Sequence, residues 1–162
     1  MNARLDSVRP RFGLPGRIQD PNAKPRSIAL VGLGAGGAAV AEHIRDAGPR
    51  DVNLRVFPTP RPPAPDALAS IKSNGDDLHR ALVEADMIFI VARPGDDVGL
   101  VPVVARMARD RHVQVTALYL VDAMESDARD DPTLRTLRSG VHMLVVASDE
   151  TYVATMIAAL GS

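Results

Sequence analysis

Short runs of continuous apolar residues alternate along this chain with segments whose apolar positions recur every three to four residues. Residues 28–31, 52–57, 87–91, 113–121 and 141–147 are of strand length and rich in Val, Ile and Leu. The run Met87-Ile-Phe-Ile-Val91 is apolar at every position, as a central parallel strand covered on both faces requires. Between these runs the spacing becomes helical. Val40, Ile44 and Ala47 share a face of a helix over 36–47, and 76–84 forms a shorter helix. Leu100, Val104 and Met107 line another that runs to about Arg109. A further helix spans Pro132 to Ser139, and Val153, Met156, Ile157 and Leu160 mark the last, over 149–160. The punctuation agrees: Gly48-Pro49 ends the first helix, Asn74-Gly75 turns into the second, and Asp130-Asp131-Pro132 caps the fourth. Strands and helices alternating in this way predict an α/β fold. The expected form is a doubly wound, mostly parallel sheet with helices on both faces, Rossmann-like, joined by right-handed crossovers.

Composition sets the boundaries of that domain. Residues 1–26 hold Pro10, Pro15, Pro21 and Pro25 among six basic side chains and read as a Pro/Arg-rich tail. Residues 27–162 then form a single domain, interrupted at 57–65 by a proline-dense stretch that reads as a stiff surface loop. With 46% hydrophobic but only 3% aromatic residues, the core must be built from aliphatic side chains. A net charge of −1 gives no electrostatic case for nucleic acid. The absence of cysteine removes disulfides, thiolate catalysis and thiol-ligated metals. No apolar stretch has the length of a membrane span or the form of a secretory leader, so the expectation is a cytoplasmic protein.

In a doubly wound sheet, ligands bind beyond the carboxyl ends of the strands. Five loops fall there: residues 32–37, 57–59, 92–99, 121–124 and 147–150. The first carries Gly32, Gly34 and Gly37 in the pattern G-x-G-x-x-G, directly after a strand and at the opening of a helix. Such a turn brings bare backbone against a phosphate and aims the helix's free N–H groups at it. A dinucleotide site also expects Asp or Glu at the end of the second strand, to hold the ribose. That strand reads Leu54-Arg-Val-Phe-Pro58 and has no acid; Arg55 suits either a 2′-phosphate or a surface salt bridge. No P-loop motif occurs, and the four histidines lack the spacing of a metal set.

Residues 78–92, the glycine-bearing loop after them and the helix containing Val101-Pro-Val-Val-Ala-Arg-Met-Ala108 resemble the bacterial tubulin homologue FtsZ, the cell-division GTPase. The resemblance extends from the glycine loop to the strand Met143-Leu-Val-Val-Ala147 and covers about residues 27–150 in the family's order of elements. It implies a GTPase-type nucleotide fold binding GTP or GDP. Backbone of Gly32, Gly34, Ala35, Gly36 and Gly37 would contact phosphate, Gly95 and Gly99 would flank the second phosphate loop, and Asp149 would lie near the base or ribose. The second loop departs from the family pattern, reading Ala92-Arg-Pro-Gly-Asp-Asp-Val-Gly99. Pro94 removes a donor. Asp96 and Asp97 either oppose the phosphates, a repulsion for Mg²⁺ to relieve, or cap the helix that follows. The family's central helix, second domain and water-activating acidic loop have no counterpart in these residues, so hydrolysis of GTP by this chain alone is not expected.

Three functions follow as expectations. The first is an FtsZ/tubulin-like GTP/GDP-binding domain without GTPase activity of its own. The second is a non-enzymatic interaction module on a relic nucleotide fold, with apolar surface on the C-terminal helix (Tyr152, Val153, Met156, Ile157, Leu160) covered by a partner or a second copy in a homo-oligomer. The third is a Rossmann-type NAD(P) binder.

Overall fold

The computed structural model describes residues 25–61, 77–123 and 130–161. Its elements run β1 (Ser27–Leu33), α1 (Gly34–Ala47), β2 (Asn53–Thr59), α2 (Asp77–Glu84), β3 (Met87–Ala92), α3 (Val101–Asp110), β4 (Gln114–Leu120), α4 (Pro132–Gly140), β5 (Met143–Ala147) and α5 (Glu150–Gly161). All five strands are parallel and lie in the order β2-β1-β3-β4-β5. The strand alternation expected from the sequence is therefore realised as a doubly wound α/β sheet. The Pro/Arg-rich stretch lies, but for its last two residues, outside the described residues; so do positions 62–65 of the proline-dense stretch, Asn74-Gly75 and Met124.

Side-chain alternation along the strands builds two cores. On one face Ala29, Val31, Ile88, Ile90, Val115, Ala117 and Tyr119 meet α2, α3 and α4. On the other, Ile28, Leu30, Phe89, Val91, Leu118 and Leu120 meet α1 and α5. Strands β1 and β3 are buried on both faces, which is why their sequences are apolar without a break.

Several boundaries move from their expected places. Helix α1 begins two residues earlier than its apolar spacing suggests, at Gly34, because the helix opens inside the glycine motif. Strand β2 runs through Phe57 and Pro58 to Thr59, where a loop was expected. Pro58 is tolerated because β2 is an edge strand with β1 as its one neighbour among the described strands. Helix α3 starts at Val101, so Leu100, expected to line it, is its N-cap residue, with no side-chain cap.

The C-terminal helix departs furthest from expectation. Val153 and Ile157 are fully buried against the sheet, and Met156 and Leu160 are half-buried beside them. The apolar face of α5 is thus covered by its own chain, and of the five residues only Tyr152 is exposed, at 48%. Other large apolar exposure lies on edge strand β5, at Met143 (42%) and Val146 (57%), with Val83 apart on α2. Ile157→Ala should therefore cost about 2–5 kcal/mol in urea unfolding, the usual range for emptying a core site. Tyr152→Ser should change stability by less than about 0.5 kcal/mol, as exposed sites do; equal effects would mean α5 is not docked as described.

Candidate functional site

Strand order reverses between β1 and β3, and the helices that follow these neighbours leave to opposite faces. Their loops part at that point and form the crevice of the sheet. Both loops singled out in the sequence lie there: the glycine motif after β1 and residues 93–99 after β3.

Each glycine of the motif has its own reason. Gly32 closes the turn: a Cβ there would run into the Gly37 carbonyl and come within 2.7 Å of the Ala41 side chain. Gly37 lets α1 lie against β3, where a Cβ would collide with the Val91 carbonyl. Gly34 takes φ +74°, a left-handed conformation that suits glycine. A Cβ on it would come within 2.5 Å of the Asp96 carboxylate. Tight turn, close approach to an anion, helix-to-strand contact: these are the three glycine roles of a dinucleotide fingerprint. Here the anion is a side chain of the chain itself.

Asp96 fills the mouth of the glycine loop. The Gly36 N–H donates to its Oδ1 at 3.0 Å, and the Gly37 N–H donates to Oδ2 at 2.8 Å. The Arg93 N–H donates to Oδ2 at 2.7 Å. Three backbone amides from two loops converge on one carboxylate, at the N-terminus of a 14-residue helix whose dipole favours negative charge. The expectation that Asp96 caps the following helix is corrected by this arrangement. Both of its oxygens face N–H donors in this arrangement. Asp97 behaves locally instead, accepting the Gly99 N–H at 2.9 Å in a turn ahead of α3.

The loop that carries Asp96 is fastened from behind. The Thr133 hydroxyl, buried at the start of α4, donates to the Asp96 carbonyl at 2.8 Å. Asp131 is the N-cap residue of α4, but its side chain makes no cap bond. Its Oδ2 accepts the Tyr119 hydroxyl at 2.6 Å and the Gly95 N–H at 3.3 Å. The capping role expected for Asp131 is thus replaced by a tie between β4 and the 93–99 loop. A tyrosine on a strand buried on both faces must bring its hydroxyl to a partner, and that requirement was the available signal for this tie.

Arg93 anchors the side of the crevice. Its guanidinium bonds Glu150 at 2.7 Å and lies 3.5 Å from Asp122. Glu150 also meets His43 Nδ1 at 2.8 Å, so α1, the 93–99 loop and α5 are joined through one carboxylate. The His43 contact, and secondarily Arg93, holds the Glu150 carboxyl below the ordinary glutamate range despite partial burial. No motif flagged these three residues, which lie 107 positions apart at the extremes and converge only through the fold.

The remaining expected site residues are placed as follows. Ala35 is exposed in the first turn of α1. Gly95, at φ +81°, forms the tip of the second loop, and Gly99 lies exposed before α3. Asp149 accepts the Thr151 N–H at 2.8 Å, a bond that lowers its pKa and commits its carboxylate to the start of α5. Arg55 bonds Glu84 at 2.7 Å, the salt-bridge alternative of its two readings. Among the described residues no three His, Cys, Asp or Glu side chains are grouped to hold a metal ion, and no helix is long and apolar enough to cross a membrane.

No protein-family model matches the chain, and no curated protein matches it in sequence.

Two measurements probe this geometry. Gly34→Ala forces a methyl into the left-handed region and toward the Asp96 carboxylate, so urea unfolding should register a loss of about 1–3 kcal/mol. Because the Glu150 pKa is lowered on folding, its stabilising contribution is present above the unfolded value and lost as pH falls through the folded one. The stability difference between the natural chain and Glu150→Gln should stay under about 1 kcal/mol near pH 7, since both partners are solvent-accessible. It should vanish at pH values below the ordinary glutamate range; a gap that widens in acid contradicts the assignment.

Proposed function

We propose that the chain is a non-catalytic nucleotide-fold module of FtsZ/tubulin-like type, whose phosphate cradle is closed by its own Asp96. The observation that carries this reading is the Asp96 carboxylate on the amides of Gly36, Gly37 and Arg93. In the closed form those amides have no free proton to offer a phosphate, and a second anion approaching them meets the charge of the first. Chemistry on a bound phosphate is therefore not supported in that form. GTP or GDP is the ligand class the cradle suits once it is open. NAD(P) is served less well, because β2 ends without an acid and Arg55 is engaged by Glu84.

A module of this kind acts through its surface. Uncharged edge strand β5, with Met143 and Val146 exposed and Tyr152 on the helix that follows, is the surface that favours a homo-oligomer in place of the buried face of α5.

Thermal unfolding in the presence of GTP, GDP, NAD(H) or NADP(H) tests the reading. A ligand at a hundred times its dissociation constant adds about 2.7 kcal/mol, a rise of several degrees for a domain of this size. None of the four should move the transition of the natural chain at about 1 mM. A rise with GTP or GDP overturns the closed cradle, and a rise with NADP(H) alone assigns a dinucleotide site. Light scattering decides the oligomer, which a monomer at micromolar concentration removes.

A further inference from the structure

We propose that Asp96 is a gate: an intramolecular stand-in for phosphate that keeps nucleoside polyphosphates out of the glycine loop until the 93–99 loop moves. The inference rests on the reading of this crevice as a nucleotide-type site and specifies how it is regulated.

The carboxylate is held as a phosphate would be. Its two oxygens accept three backbone N–H groups at 2.7–3.0 Å, with no side-chain cation among these donors. The loop is shaped around it, since at Gly34 and Gly36 a Cβ would come within 2.9 Å of Asp96 atoms. Asp97 and Asp149, by comparison, each accept a single bond from a nearby backbone N–H. Asp96 instead reaches across 60 positions of sequence to the one helix start that carries the glycine fingerprint.

The loop has room on its outer side. Asp96 follows Gly95, whose left-handed backbone has no heavy atom within 4 Å of where a Cβ would stand. On that side the loop tip borders open space. What keeps it closed comes from other elements: the Thr133 hydroxyl on the Asp96 carbonyl, Asp131 on the Gly95 N–H, and Glu150 on the Arg93 side chain. Release at α4 or α5 would loosen the gate, and a polyphosphate would compete for the same amides. If closed molecules outnumber open ones by about a hundred to one, apparent affinity falls by about the same factor, and deleting the carboxylate restores it.

Calorimetric titration of the natural chain, Asp96→Ala, Asp96→Asn and Thr133→Val with inorganic pyrophosphate, GDP and GTP tests the gate. The natural chain should show no saturable binding at about 1 mM. Asp96→Ala should bind pyrophosphate and at least one nucleotide with a gain of about 10–100-fold, and Thr133→Val should show a smaller gain in the same direction. Adding Gly34→Ala to Asp96→Ala should abolish the gain. If the folded Asp96 variants bind none of the probes, the gate is overturned while the closed, non-catalytic module stands. If the natural chain binds as tightly as Asp96→Ala, the closed-cradle reading falls as well. If none of the Asp96 and Thr133 variants folds, Asp96 is a structural strut, and the gate is overturned on that ground.

Discussion

The carboxylate of Asp96 on three backbone amides is the interaction around which the rest of this structure is arranged. A helix start that points bare N–H groups into a crevice is an unsatisfied site, and a buried amide without an acceptor is costly. Capping side chains usually supply that acceptor, and in glycine-loop nucleotide sites a bound phosphate does. This chain supplies the acceptor from the neighbouring strand's loop, so the crevice is satisfied without a ligand. The consequences spread outward. Gly34 must lack a side chain to make room for the carboxylate, the turn at residues 93–96 must present it, and Thr133, Asp131 and Tyr119 must hold that turn.

That arrangement is possible only because of the sheet order. With β1 and β3 adjacent and their helices on opposite faces, the two loops open toward each other at one end of the sheet. A loop after β4 or β5 would have to cross one or two strands to reach the N-terminus of α1. Arg93 lies at the same junction, bonding across to α5, while His43 on α1 meets the same Glu150. The crevice is therefore closed by charge on two sides: Asp96 on the amides, and the Arg93–Glu150–His43 group along the rim.

Much of the framework was legible in the residues. Apolar runs without a break located β1 and β3, and the spacing of apolar positions, with the turn and proline punctuation, located the five described helices to within a few residues. Edges were less legible, because strand limits depend on pairing as well as on propensity. Pro58 belongs to β2 only because its outer side needs no N–H donor. The face of α5 misled for a related reason. An apolar stripe at helical spacing says that something covers it, and here the covering element is the chain's own sheet, through Val153 and Ile157.

The site was half legible, and the division has a physical cause. Glycine positions are dictated by local backbone geometry, so the motif at residues 32–37 could be read from spacing alone. The role of Asp96 is fixed by a contact 60 positions away, and nothing in the local sequence separates it from Asp97. Both precede a helix and both suit a cap. What separates them is which one the Gly95 turn aims at α1, a property of the assembled β1–β3 junction. The same turn that completes the fold thereby decides what the crevice presents to solvent: three engaged amides and a negative charge, in place of an open anion cradle.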